Sequence, residues 1–184
     1  RSAMLKKAGK TNSNGKRNRG YTSMNGAERR DFVRNHRTCI FGYPRKAHGP
    51  SMSCVYYVMD GEDILVSSML GRSKPKAVAR DARVSLCVLD EKWPPTYITV
   101  YGTAAVEEEG GDDLLIAVCE LMAEQPMPED ERVKLRKLAI EEQRCVIRVK
   151  PDSTFETPPR HVYNPEDVAT LTHTLGATLP WESE

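Results

Sequence analysis

The sequence predicts a mainly β, α+β domain in which about six mostly antiparallel strands form a closed or partly closed barrel flanked by helices. Three observations lead there. Short apolar runs rich in β-branched and aromatic residues recur along the chain. Two of them are joined directly by Asp60-Gly61, a strong hairpin signal. Helix-period stretches are few, and they do not alternate with every strand as they would in a doubly wound sheet.

The elements follow in order. Residues 25–35 form a short amphipathic helix, with Ser23 as its cap, Glu28 in an early turn, and Phe32 and Val33 on its apolar face. TCIFGY (38–43) is a first strand, and the Gly-, Pro- and cation-rich stretch 44–50 is a turn. MSCVYYVM (52–59) is a second strand, and 64–68 its antiparallel partner. A loop follows, then a short helix to Asp81 with Pro75 in its first turn. VSLCVL (84–89) and YITVYGTAAV (97–106) are strands four and five. Gly102 inside the fifth points to a bulge or a close backbone approach. Residues 112–124 place Leu114, Leu115, Val118, Leu121 and Met122 on one helix face, and 129–143 form a more charged second helix. CVIRV (145–149) is the sixth strand, closed by Pro151.

At 184 residues the chain has the length of one domain. A net charge of +1 and 39% hydrophobic residues describe an ordinary soluble protein. No run has the length of a membrane span, and no secretory pattern opens the sequence. The five cysteines, Cys39, Cys54, Cys87, Cys119 and Cys145, are scattered beside apolar runs. They read as buried free thiols in a reducing cytoplasm. No cysteine pair has zinc-site spacing, and His36, His48, His161 and His173 form no H-x-x-x-H cluster, so no metal is expected.

The near-neutral total hides a division into three parts. Residues 1–22 are a basic arm: up to Gly20 it carries Arg1, Lys6, Lys7, Lys10, Lys16, Arg17 and Arg19 and no acid. It reads as a flexible solubilising extension, with contact to nucleic acid, an acidic ligand or a partner's acidic tail as the other reading. Residues 23–156 hold all the predicted strands and helices. Residues 157–184 are an irregular extension whose charges from Pro165 onward are all acidic.

One stretch carries chemistry. An apolar run ends in Ser67 and Ser68, and the chain then presents Arg72, Lys74 and Lys76 in a loop and Arg80 and Arg83 on a helix-prone segment. Small hydroxyls and free loop N–H groups donate hydrogen bonds while cations neutralise charge, which suits a bound phosphate. A solvated basic connection is the plain alternative.

With those motifs in place, residues 25–155 resemble the pyridoxamine 5′-phosphate oxidase-like, flavin-binding split-barrel family. The likeness is to the subgroup that uses the deazaflavin coenzyme F420. The family's opening helix and "HRT" turn resemble residues 32–40, and its "WYV-x-D-G" motif resembles Tyr56-Tyr57-Val58-Met59-Asp60-Gly61. Its "K-x-(K/R)-N-L-x-R-D-P-R-V" segment is similar to residues 74–84, and its "(Y/V)-x-x-V-x-G-x-A" strand to residues 97–104. Here Cys54 stands where a proline is usual, Ala77 replaces an Asn and Ala82 a Pro.

The resemblance implies a six-stranded split barrel, a homodimer, and a cofactor at the subunit interface. By matching position, Ser67, Ser68, Lys74 and Lys76, with Arg72 in the same loop, hold the cofactor's phosphate. Arg80 is a further candidate that could instead pair with Asp81 or Glu91. Ser53, Val55 and Tyr57 lie along the ring system, with one of Tyr56 and Tyr57 serving as plain core. Trp93, Tyr97 and Tyr101 contribute from the partner chain or are ordinary barrel aromatics. The implied function is F420-dependent hydride transfer to or from a small conjugated substrate, with Arg45, Lys46 and the arm facing the coenzyme's oligoglutamate tail. FMN-dependent oxidation or reduction on the same fold is the alternative, followed by a flavin- or haem-binding protein without turnover. No proton donor is assigned, since Tyr57, Tyr101 and His48 are each explained otherwise. A nucleic-acid-binding barrel is disfavoured because the arm's cations are not interleaved with aromatics.

Overall fold

The computed structural model describes residues 23–90, 92, 96–157 and 176–184. The basic arm and Trp93 lie outside the described residues. Helix α1 (Gly26–Asn35) opens the described chain. Its cap is Asn25, not Ser23: Asn25 accepts the Glu28 N–H at 2.9 Å, and the Glu28 carboxylate accepts the Asn25 N–H at 2.8 Å. Ser23 instead donates to the Glu156 carboxylate at 3.1 Å.

Among the described residues eight strands form one sheet, where the sequence predicted six. They are β1 (Thr38–Tyr43), β2 (Ser51–Tyr56), β3 (Val58–Asp60), β4 (Asp63–Met69), β5 (Arg83–Asp90), β6 (Thr96–Glu107), β7 (Arg144–Glu156) and β8 (Ala177–Pro180). The order is β2-β1-β5-β6-β7-β4-β3, with β8 added on β7, and every pair is antiparallel. Both extra strands have a physical reason. Tyr57 divides the expected second strand: its N–H donates to the Arg37 carbonyl and its hydroxyl to the Val33 carbonyl at 2.5 Å, drawing it out of the ladder. β8 arises from the tail expected to be irregular. β2 and β3 therefore sit on opposite edges of the sheet yet follow one another in the chain, so covalent continuity at Tyr57 brings the two edges round into a barrel.

β7 runs on through Pro151, which the sequence placed at its end. The register slips between Tyr101 and Gly102, and Pro151 sits opposite Gly102, so the missing proline N–H falls at a bulge. A Cβ on Gly102 would lie 2.4 Å from the Lys150 carbonyl oxygen. The close approach inferred from that glycine is real.

Strand alternation builds the core. Phe41, Ile64, Val66, Leu86, Val88, Ile98, Val100, Ile147 and Val149 are fully buried inside the barrel, joined by Val33 from α1. Helix α3 (Gly111–Ala123) lays Leu114 and Val118 on the outer side of β4 and β7, against Leu65 and Val146. Helix α4 (Glu129–Glu141) is tied to α3 by Arg132–Glu120 and Arg136–Asp112 ion pairs. Helix α2 (Ser73–Arg80) bridges β4 and β5. All five thiols are free; Cys39 and Cys145 are buried as expected, whereas Cys54 is exposed because it faces outward from β2.

Arg29 and Glu156 are a completely buried ion pair at 3.3 Å. The guanidinium also donates to the carbonyls of Met24, Thr154 and Ala177, and the carboxylate accepts the Met24 N–H. This knot joins α1, β7 and β8. Beside it Trp181 is buried and donates its indole N–H to Glu62, while Arg30 donates to the carbonyls of Trp181 and Ser183.

Candidate functional site

The cations that the sequence singled out do not converge on one spot. Along β4, Ile64, Val66 and Ser68 face the barrel interior while Leu65 and Ser67 face the α3 side. Ser67 and Ser68 therefore point in opposite directions and do not serve one anion together. Ser67 meets Arg144 at 3.5 Å, and Ser68 is buried. Arg72 is exposed at the cap position of α2, and Lys76 is exposed on that helix. Arg83 is engaged by Asp81 at 2.7 Å, which holds the Asp81 carboxyl down at about 2 through its hydrogen bonds from Arg83.

A cavity of about 580 Å³ lies instead between the β1–β2 turn and α2. Arg45 and Lys46 enter it from the turn and Arg80 from the last turn of α2, with the hydroxyls of Tyr43, Ser51 and Ser73 beside them. Among the described residues no carboxylate lines it. Arg80 donates to the Pro44 carbonyl at 3.1 Å, which fixes helix to turn. His48 in the same turn takes φ 72°, a left-handed conformation uncommon outside glycine. The Tyr43 hydroxyl lies 3.2 Å from Ser73 Oγ. Hydrogen bonds from Ser51 and then Ser73, helped by the Lys74 and Arg45 charges, hold its pKa below the usual phenol range.

Lys74 turns the other way. Its ammonium sits 5.4 Å over the Phe41 ring, half-buried at the inner face of β1. Burial pushes its pKa down, and Tyr43 and Cys39 offset this only in part. On β2, Ser53 is paired across the ladder with Phe41 and shares its face. Val55 packs on the core from the same side. Tyr57, expected along a ring system, is 1% exposed and sits in the core with its hydroxyl donated to the Val33 carbonyl. Tyr56, with 41% exposure, faces outward.

The structure thus brings together Arg80, Arg45 and Lys46 at the cavity, places Lys74 over the Phe41 ring with Ser53 on the neighbouring strand, and leaves Ser67, Arg72 and Lys76 elsewhere. Tyr43, Ser51 and Ser73 were missed. Ser73 had a usable signal, a hydroxyl directly before Lys74-Pro75 at a helix start, but the other two join the cavity only through the β1–β2 register. No group of three or more metal-ligating side chains is found among the described residues.

The barrel thus carries a basic cavity between the β1–β2 turn and α2 with no carboxylate among its described lining residues. Residues 26–156 match the family model described as pyridoxamine 5′-phosphate oxidase, and the chain belongs to that family. Among solved structures it is similar to a conserved hypothetical protein from Mycobacterium tuberculosis, 20% identical with a TM-score of 0.64, over 78% of this chain and 90% of that one. An F420 reductase is 16% identical with a TM-score of 0.53, over 67% and 93%. A heme binding protein from Mycobacterium smegmatis is 16% identical with a TM-score of 0.55, over 88% and 60%. At these identities the likeness is one of fold. No curated protein matches the chain. No helix among the described residues is long and apolar enough to cross a membrane.

Proposed function

We propose that the chain is an F420-dependent oxidoreductase that moves a hydride to or from a small conjugated organic molecule. One observation carries the assignment: the cavity where Arg45, Lys46 and Arg80 meet the hydroxyls of Ser51, Ser73 and Tyr43 without a carboxylate. Those donors fit a phosphodiester, and the surplus of exposed cations fits the acidic tail that distinguishes F420 from FMN. When bound, the coenzyme supplies the hydride chemistry. The chain's own part is to grip the phosphorylated end with Arg80 and Arg45, orient it with the three hydroxyls, and present the apolar inner edge of β2 to the ring.

The same reading takes a homodimer in a reducing, cytoplasmic setting. Its support is the outer face of β2, β1, β5 and β6, where Met52, Tyr56, Ile40, Leu89 and Tyr101 are exposed with no charged side chain between Ser51 and Tyr56. Tyr97 and Tyr101 lie on this face of β6 and would meet a second copy laid there. FMN is the alternative cofactor, favoured by the family's oxidase description.

Fluorescence titration of the full chain with F420 and with FMN tests the assignment. Arg80→Ala removes one charge-assisted contact and is expected to weaken F420 about tenfold or more. Saturable FMN binding with none for F420 would transfer the assignment to FMN. Binding of either that ignores Arg80→Ala and Arg45→Ala alike would refute the cavity.

A further inference from the structure

Helix α1 starts on an Asn-Gly pair, Asn25 and Gly26, and the packing explains both residues. Capping asks for a short side chain that accepts a backbone N–H, which Asn25 does for Glu28. The chain after β8 asks for glycine at the next position: a Cβ on Gly26 would run into the hydroxyl and carbonyl of Ser183. Together these demands place a chemically labile dipeptide at the cap. Nothing on glycine shields its backbone nitrogen from the side-chain carbonyl carbon of the asparagine before it. The Asn25 side chain is exposed, whereas Gly26 is buried. Two contacts keep the reacting atoms apart. Gly26 N–H donates to the Glu184 carbonyl at 3.2 Å, and Asn25 Oδ1 accepts the Glu28 N–H at 2.9 Å with Asn25 extended at ψ 175°. The first contact lasts only while residues 181–184 stay docked. Arg30 holds them through the carbonyls of Trp181 and Ser183, helped by the Trp181 N–H on the Asp152 carbonyl and the indole on Glu62.

We propose that Asn25 is a deamidation site guarded by residues 181–184, so that undocking of that segment is recorded as a covalent change at the cap of α1. Once the segment leaves, the Gly26 nitrogen attacks Asn25 Cγ. The N–Cγ bond forms, the Cγ–Nδ2 bond breaks, and Nδ2 departs as ammonia with the proton that Gly26 gives up. Water then opens the cyclic imide at either carbonyl, giving aspartate or isoaspartate, and nothing is oxidised or reduced. The two products differ in what they leave behind. Aspartate keeps an acceptor over the Glu28 N–H and suits the start of a helix. Isoaspartate carries the backbone through its own side chain, which adds a methylene just before Gly26 and moves the capping carboxyl away. The Gly26 N–H is then shifted from the Glu184 carbonyl, and residues 181–184 lose one of their anchors on α1. None of the residues of the basic cavity takes part.

The test incubates the full chain at mildly alkaline pH, folded and in denaturing urea, and reads the tryptic peptide 20–29 by mass spectrometry, in which Asn25 is the sole asparagine. Conversion is expected in urea and should be about tenfold slower or more in the folded chain, by the fraction of time the segment is undocked. Arg30→Met removes both donations to the segment and should speed conversion in the folded chain about tenfold, with hydrogen exchange of the Gly26 amide rising in step. Urea below the unfolding transition should do the same to the unaltered chain. Asn25→Asp should leave the β8 amides protected from exchange, whereas the separated isoaspartyl form should lose that protection. No conversion in urea, equal rates in the folded and unfolded chain, or no acceleration in Arg30→Met and in low urea would overturn the guarded site. An isoaspartyl form with β8 as protected as before would overturn its effect on docking.

Discussion

Replacing Arg29 with methionine would remove the positive half of a pair in which neither side chain touches solvent. Methionine fills much of the volume, so the dominant effect is electrostatic: Glu156 stays buried with its cation gone. Breaking a buried pair by removing one partner costs about 3–5 kcal/mol, because the remaining carboxylate loses its cation while staying out of water, with the Met24 N–H and Ser23 hydroxyl still donating to it. The carbonyls of Met24, Thr154 and Ala177 lose their donor as well, which places Arg29→Met toward the upper part of that range. At roughly 2–4 °C per kcal/mol for a chain of this size, the melting temperature should fall by roughly 6–20 °C. Calorimetry and urea unfolding give the two numbers independently. The double variant Arg29→Met, Glu156→Leu should be more stable than Arg29→Met alone, since an apolar pair carries no stranded charge. A loss below about 1 kcal/mol for the single variant, or a double variant no better than it, would refute the reasoning.

Further expectations follow from the barrel. Gly102→Ala forces a methyl against the Lys150 carbonyl and should destabilise the fold by about 1–3 kcal/mol or more in urea unfolding; a neutral result would contradict the close approach. Tyr57→Phe deletes only the hydroxyl donated to Val33 and should cost about 1–3 kcal/mol with F420 affinity unchanged, whereas a loss of affinity at full stability would return Tyr57 to the ligand site. Burial pushes the Cys39 thiol up to about 12, so the unfolded chain releases that proton first as pH rises. Stability from this group is full below about pH 9 and lost toward pH 12, and Cys39→Ala should flatten that decline. Iodoacetamide should label Cys54 well before Cys39 or Cys145 in the dilute, monomeric chain, and protection of Cys54 at high protein concentration is what a second copy on the outer face of β2 would give; equal rates in the monomer would contradict the burial pattern.

Where residues act locally, the sequence was sufficient. Asp60-Gly61 set the hairpin of β3 and β4, and Gly102 marked the bulge, because both depend on what a backbone permits within a few residues. Tyr57 did not reveal itself, since the signal for its strand break is a hydroxyl acceptor on α1 that only the folded chain supplies. β8 was invisible for a related reason: four residues ending in proline carry little strand preference of their own, and they become a strand by pairing with β7. The candidate site divides in the same way. The cations of the α2 segment were legible as a basic stretch, but strand alternation sends Ser67 away from Ser68, and helix rotation sends Lys74 inward while Arg80 reaches the turn. Tyr43 and Ser51 belong to the cavity through cross-strand register, Tyr43 facing Ser51, which requires both strands to be placed first.

The junction at Tyr57 has a mechanical consequence. Strands β2 and β3 are joined at that point by the peptide chain, while among the described residues no backbone ladder joins β2 to β4 along the rest of the seam. The seam is fixed beside the clamp on Val33 and Arg37, whereas at its other end β2 is held by its ladder with β1, Ser51 opposite Tyr43. That end borders the basic cavity, which Ser51 lines, so the wall of the cavity rests on a single strand pairing while the barrel's closure rests on Tyr57.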